Sequence, residues 1–216
     1  MNNLFVYLEI QENHRIAEVS LELLTKGHSL AVKLGCRLEA VAIGTGLESI
    51  AAQVMPYGVD ILHLFDGEGL YPYTTIPHTS VLTKLFEEEQ PQIVLLGATA
   101  IGRDLGPRVS SALKSGLTAD CTVLEMKENT DLIQIRPAFG GNIMAQIISP
   151  DTRPQFCTVR YKVVASVFGT VGINSIFFYS IERRVTCLFY RMCSARKLGF
   201  ACGTVNHGIV ATALLT

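Results

Sequence analysis

The sequence predicts an α/β fold: a three-layer parallel sheet with an antiparallel, β-rich addition at one edge. Three observations carry this. Short apolar segments alternate with amphipathic stretches over the first half of the chain, the pattern of βαβ units. One segment, Ile93-Val94-Leu95-Leu96, is apolar without a break, as a central parallel strand buried on both faces must be. After Gly116 the helical pattern stops and strand-like runs follow, separated by turn residues.

Residues 3–10 form the first predicted strand. A helical stripe follows over 14–34, with Ile16, Val19, Leu23, Leu30 and Leu34 on one face, and Gly35 ends it. Residues 37–43 make a second strand, and Gly44-Thr45-Gly46 turns into a helix that runs to residue 57. Residues 60–65 are a third strand, 66–73 a loop, and 74–89 a helix that stops before Pro91. Residues 92–97 are the fourth strand. The next helix is placed over 105–114. Pro107 then falls in its first turn, where a missing N–H costs nothing, and Asp104 caps it. The later strand-like runs are 117–126, 132–136, 142–148 and 155–163.

The chain has 216 residues, 49% hydrophobic and 17% charged, enough apolar material for a packed core and too much for disorder. A net charge of −1 removes the general electrostatic case for a nucleic-acid partner. The six cysteines form no CxxC and are read as free thiols. No basic, apolar leader opens the sequence, and a cytoplasmic location is expected. The averages hide a split. Residues 1–163 carry a net charge of −5 and residues 164–216 a net of +4. The break divides the chain into a domain, 1–163, and a tail, 164–216.

The segment from Gly97 to Arg108 begins at the C-terminal end of the central strand, where open α/β sheets place ligands. Its small residues, with Arg103 and Arg108, suit an anion or a carboxylate partner. A tight turn with arginines at an interface fits it equally well. Gly44-Thr45-Gly46 has the context of a dinucleotide fingerprint, but Ser49 stands where the third glycine belongs, so an ordinary turn is the reading. Arg136 precedes Pro137, which holds its backbone extended, and Gly140-Gly141 permits a sharp reversal. An arginine on a rigid turn beside Phe139 suits a planar ring; an ion pair at a subunit contact is the alternative. The five histidines lie in unrelated contexts and each is read as a surface residue. No GxSxG, HExxH or Walker motif is present, so no catalytic constellation and no metal site is expected.

Two long runs, GATAIGRDLGPRVSSALKSGLTADCT and RPAFGGNIMAQIISPDTRPQFCTVR, resemble the alpha subunit of electron-transfer flavoproteins, in particular the electron-bifurcating type of anaerobic bacteria. The resemblance covers residues 3–163. It implies an adenine nucleotide alpha hydrolase-like variant of the Rossmann-like fold. It also implies a heterodimer with a beta subunit as the pseudo-symmetric half. The role implied is an electron carrier rather than an enzyme, working between a flavin and an acyl-CoA dehydrogenase-type flavoenzyme. The FAD facing this domain is expected on the beta subunit, with Arg136 near its ring. Thr118 and Asp120 are expected to shape the rim, and Phe139 to pack beside it. Arg103 and Asp104 are expected to serve the domain's own loop or the interface.

Past residue 163 the resemblance stops. Nothing in 164–216 resembles the family's FAD-binding domain, so this chain's own FAD site is expected to be absent. A truncated or frame-shifted remnant is the favoured account of the tail. An unrecognised addition is another, and a membrane segment over the 19 uncharged residues 163–181 is a third. Ser166, Thr170, Asn174, Ser175 and Ser180 count against insertion. The alternative functions are a stand-alone adenine-nucleotide-binding module and a non-functional fragment. The module is weakened by the glycine-free, acidic loop Gln11-Glu12-Asn13-His14 after the first strand.

Overall fold

The computed structural model describes residues 3–138, 140, 143–161 and 173–180. Strand β1 (Leu4–Leu8) leads through a small hairpin, β2 (Ile10–Gln11) and β3 (Arg15–Ile16), into α1 (Glu18–Leu34). The alternation continues with β4 (Leu38–Gly44), α2 (Ile50–Val54), β5 (Ile61–Asp66), α3 (Thr75–Glu89), β6 (Ile93–Gly97) and α4 (Ala100–Ala112). Then come β7 (Leu117–Cys121), β8 (Val123–Met126), β9 (Leu132–Ala138), β10 (Ile143–Ile147), β11 (Gln155–Val159) and β12 (Ser175–Ser180).

Seven strands form one all-parallel sheet in the order β12-β5-β4-β1-β6-β11-β7. The period of two along each strand divides the core. Leu4, Val6 and Leu8 of β1 pack with Leu23, Leu24 and Leu30 of α1 on one face. Phe5 and Tyr7, one residue out of step, pack with Val81, Leu85 and Phe86 of α3 and Leu105 and Val109 of α4 on the other. Each such side chain, fully buried, contributes about 1.5–3 kcal/mol relative to exposure. Strands β8, β9 and β10 form a separate antiparallel sheet, here the arm.

The expected edge addition is thus present, but its last strand is not part of it. β11 inserts between β6 and β7 and runs parallel to both. All five of its residues are buried, which requires the two-sided environment of the main sheet. The arm takes the place of a crossover helix between β7 and β11. At the N-terminus, α1 begins at Glu18 rather than residue 14, because 10–16 form the β2–β3 hairpin.

The helix after β6 also starts earlier than the sequence suggests. It begins at Ala100, and its cap is Thr99, whose Oγ1 accepts from the Gly102 N–H at 3.0 Å. Pro107 therefore lies inside α4, not in its first turn, and Asp104 is not the cap. The early start brings the helix against the end of β6. A Cβ on Gly102 would lie 1.8 Å from the Gly97 carbonyl oxygen, so no side chain fits.

Two histidines read as surface residues are core groups. His63 of β5 is 2% exposed, and its Nε2 lies 2.7 Å from Glu39 Oε2, itself buried on β4. Asn3 Nδ2 donates to the other Glu39 oxygen. His78 is buried on α3 and bonds the Thr74 carbonyl at 2.9 Å through Nδ1. Cys36, Cys121 and Cys157 are free thiols; Cys187, Cys193 and Cys202 lie outside the described residues.

Part of the tail joins the sheet. β12 pairs in parallel with β5 from Ser175 opposite Ile61 to Ser180 opposite Asp66. Tyr179 stacks on Phe65 with ring centroids 4.4 Å apart, and Asn174 Nδ2 donates to Asp60 Oδ1 at 2.8 Å. Among the described residues no helix is long and apolar enough to cross a membrane, and 175–180 are extended. Residues 162–172 and 181–216 lie outside the described residues.

Gly102→Ala forces either the Gly97 carbonyl or the first turn of α4 to move. It is expected to cost about 3 kcal/mol or more, the upper range for overpacking. Urea denaturation followed by circular dichroism measures this; a loss under about 1 kcal/mol would mean the contact relaxes freely.

Candidate functional site

Both faces of the main sheet are covered, so side chains available for function collect at its C-terminal edge and on the arm. The topological switch point lies between β1 and β6, the usual ligand crevice of an open α/β sheet. Here it is closed by a direct contact. Thr99 Oγ1 donates to Glu9 Oε2 at 2.5 Å, joining the loop after β6 to the loop after β1. A carboxylate in that position repels a phosphate, and the Thr99 hydroxyl, which also caps α4, is already committed. The glycines of the 97–108 segment are accounted for by packing: Gly97 faces Val19, and Gly106 faces Leu117 and Thr158. Both arginines lie inside α4 rather than in a turn, and each meets a carboxylate of this chain, Asp120 for Arg103 and Asp104 for Arg108.

Asp104 projects from the first turns of α4 toward the loop before α3. It accepts from Thr75 Oγ1 at 2.6 Å, from the Tyr73 hydroxyl at 2.8 Å and from Arg108 Nε at 3.0 Å. These three donors, Thr75 first, hold its carboxyl down at about 2. Burial pushes the Tyr73 hydroxyl up to about 12, with the Asp104 bond adding to it.

Arg103 points the other way, to Asp120. Its Nε and Nη2 donate to Asp120 Oδ1 at 3.1 and 2.9 Å. Arg160, just past β11, places Nη2 3.8 Å from Asp120 Oδ2. The Asp120 N–H donates to Thr158 Oγ1 at 3.0 Å. Sequence reasoning singled out Asp120 and Arg103 separately but not their pairing, and it passed over Arg160 and Thr158. The only signal was the run Thr158-Val159-Arg160 at the end of a strand, which says nothing about what its arginine meets.

Of the four residues expected near a flavin, Thr118 and Asp120 lie together on β7. Thr118 is buried. Arg136 stands on β9 opposite Ala145 and is partly exposed. None of the six ion pairs among the described residues includes it. Phe139 lies outside the described residues.

The arm itself is unusual. The pairing puts Leu124, Gln134, Arg136, Ile143 and Ile147 on one face, and Val123, Ile135, Pro137 and Met144 on the other. The first face packs on the domain at Leu124, Leu132 and Gln134, all buried. Farther along, Ile143 is 55% exposed on that face and Met144 51% exposed on the opposite one. Apolar residues bare on both faces of one ribbon are what an interaction element shows.

Residues 4–172 match the electron transfer flavoprotein domain family. The chain belongs to the electron transfer flavoprotein family. It is 49% identical over 158 residues to a subunit of a lactate dehydrogenase (NAD(+),ferredoxin) of Acetobacterium woodii, covering 73% of this chain and 38% of that one. It is 44% identical over 162 residues to an electron transfer flavoprotein subunit alpha of Thermoanaerobacterium thermosaccharolyticum, covering 75% and 49%. It is 37% identical over 185 residues to an acryloyl-CoA reductase electron transfer subunit beta of Anaerotignum propionicum, covering 75% and 50%. The chain spans about half or less of the length of these relatives. The Thr99–Glu9 hydrogen bond at the switch point counts against the alternative of a stand-alone nucleotide-binding module.

The Asp104 cluster makes a pH prediction. Its folded value, about 2, lies below the ordinary 3.8, so the cluster stabilises the fold above that value and loses this contribution as pH falls toward 2. Urea titrations across this acid range should show a steeper loss of stability in the parent chain than in Asp104→Asn. Equal slopes would place the acid sensitivity elsewhere.

Proposed function

We propose that this chain acts as the N-terminal domain of an alpha-type electron-transfer flavoprotein subunit. It pairs with a beta-type subunit and takes part in carrying electrons between a flavin and a dehydrogenase- or reductase-type flavoenzyme. The acyl-CoA dehydrogenase class is the partner this reading favours. The observation that supports it most directly is the arm: Arg136 without an ion partner among the described residues, beside apolar side chains bare on both faces.

That donor set fits the flavin the family is named for. A fixed guanidinium favours a ring that gains negative charge, and apolar neighbours exclude water and strengthen the interaction. When bound, the flavin supplies one- and two-electron transfer, chemistry that no side chain here provides. The contribution of this chain is positional. Arg136 holds positive charge at the arm, Ile143 and Met144 offer surface to the partner, and Thr118 contributes backbone at the rim. In this reading the FAD that faces the domain sits on the beta-type subunit. The chain itself is an electron-carrier component and not an enzyme.

Two measurements test this. Co-expression with a beta-type subunit is expected to give a yellow complex. Ile143→Lys combined with Met144→Lys should abolish the pairing while leaving the far-ultraviolet spectrum of the isolated chain unchanged. Full pairing of that double variant would remove the arm from the interface. In the intact complex, Arg136→Ala is expected to lower the flavin potential by roughly 60–130 mV, the equivalent of one charge-assisted contact of about 1.5–3 kcal/mol. Arg136→Lys should recover part of the shift. An unchanged potential would reassign Arg136 to a contact between proteins.

A further inference from the structure

We propose that Asp120 is a positioning residue: with Arg103 and Arg160 it fixes how the chain leaves the parallel sheet for the arm, and so where Arg136 stands. The inference rests on the reading of Arg136 given above. β7 and β8 belong to different sheets, and Thr122 alone separates them. The redirection is made inside β7. Thr118 lies opposite Cys157 and Cys121 opposite Val159, so β7 carries one residue more than β11 over this step. An extra residue of this kind bends a strand and sharpens its twist.

Asp120 sits in that step with φ +60°, a left-handed conformation that aspartate tolerates better than most residues. The surroundings hold it there. Its N–H donates to Thr158 Oγ1 at 3.0 Å, and the Arg160 N–H donates to the Cys121 carbonyl at 3.0 Å. Its carboxylate takes the Arg103 Nε and Nη2 on one oxygen and faces Arg160 on the other. Three elements therefore meet at one carboxylate: the start of α4, the end of β11 and the bulge.

Arg136 follows closely. The Thr122 N–H donates to the Ile135 carbonyl at 2.8 Å, and Ile135 opposite Val123 is the last pairing of β9 with β8. Arg136 is the next residue. Any change of angle at the bulge passes through Thr122 to Ile135 and so to Arg136. The Arg103 side chain is 55% exposed, and an exposed ion pair adds little to stability, so stability is a poor account of this convergence. Two guanidinium donors on one oxygen do specify direction.

The test is a double-mutant cycle in the complex with a beta-type subunit. Arg103→Gln and Asp120→Asn are each made alone and with Arg136→Ala. The readouts are the flavin midpoint potential, hydrogen exchange at the Thr122 amide and the urea midpoint. Each single variant is expected to shift the potential, and to shift it no further once Arg136 is alanine. Thr122 should exchange at least tenfold faster with the urea midpoint nearly unchanged. Arg103→Lys, which keeps the charge and loses the fork, should stay shifted. Additive shifts would make Arg103 and Asp120 direct electrostatic neighbours of the flavin and overturn the proposal. So would unshifted single variants beside a shifted Arg136→Ala. If Arg136→Ala itself leaves the potential unchanged, the flavin reading fails, and Thr122 exchange then decides the clamp alone: a faster rate supports it, an unchanged rate overturns it.

Discussion

A parallel sheet covered on both faces can act only at its ends, and most features of this protein follow from that constraint. α1 and α2 lie on one side and α3 and α4 on the other, each pinned by alternate residues of the same strands. No functional side chain can stand on a strand interior without being sealed in. The buried pair of Glu39 and His63 shows the consequence: both are polar and titratable, yet their hydrogen bonds are spent on each other, on Asn3 and on Tyr179. Such a pair specifies register between β4 and β5 and offers nothing to a ligand. Function has to reside at the C-terminal edge or on an added element.

How far the sequence revealed this depended on whether a feature was local. β6 was legible because an unbroken run of four apolar residues suits a strand buried on both faces and little else of that length. α3 was legible because Pro91 bounds it on the C-terminal side. The cap of α4 was not. Pro107 favours a first-turn position, so the helix start was drawn toward it. In the protein Pro107 sits eighth in the helix, where it leaves the Arg103 carbonyl without its partner N–H, a cost of the order of 3 kcal/mol in an isolated helix. Packing of Leu105 and Val109, and the fit of Gly102 against Gly97, outweigh it. Local propensity lost to tertiary contact.

The other misreadings share one cause. That β11 returns to the main sheet cannot be read from 155–163, because alternation and turns look the same whether the neighbour is β10 or β6. Only the burial of all five residues distinguishes the two. The partners of His63 and of Asp120 are equally remote, on strands brought together by topology rather than spacing. Arg136 was picked out by the proline that follows it, a local signal, although it stands inside β9 and not on a turn. The clamp that sets its position was not, because Arg103 and Arg160 lie 33 and 24 residues from Arg136 and meet only at Asp120.

The switch point of the sheet then explains why the arm matters. In an open α/β fold the crevice between β1 and β6 is the natural ligand site. This chain has filled it with a hydrogen bond between Glu9 and Thr99, and Thr99 spends its remaining capacity capping α4. Opening the crevice for a phosphate would cost both contacts and expose an anion to an anion. Beside this contact, Arg103 of α4 pairs with Asp120 at the bulge, and the bulge precedes the arm. Arg136, which the proposal places at the far end of that coupling, has no ion partner among the described residues.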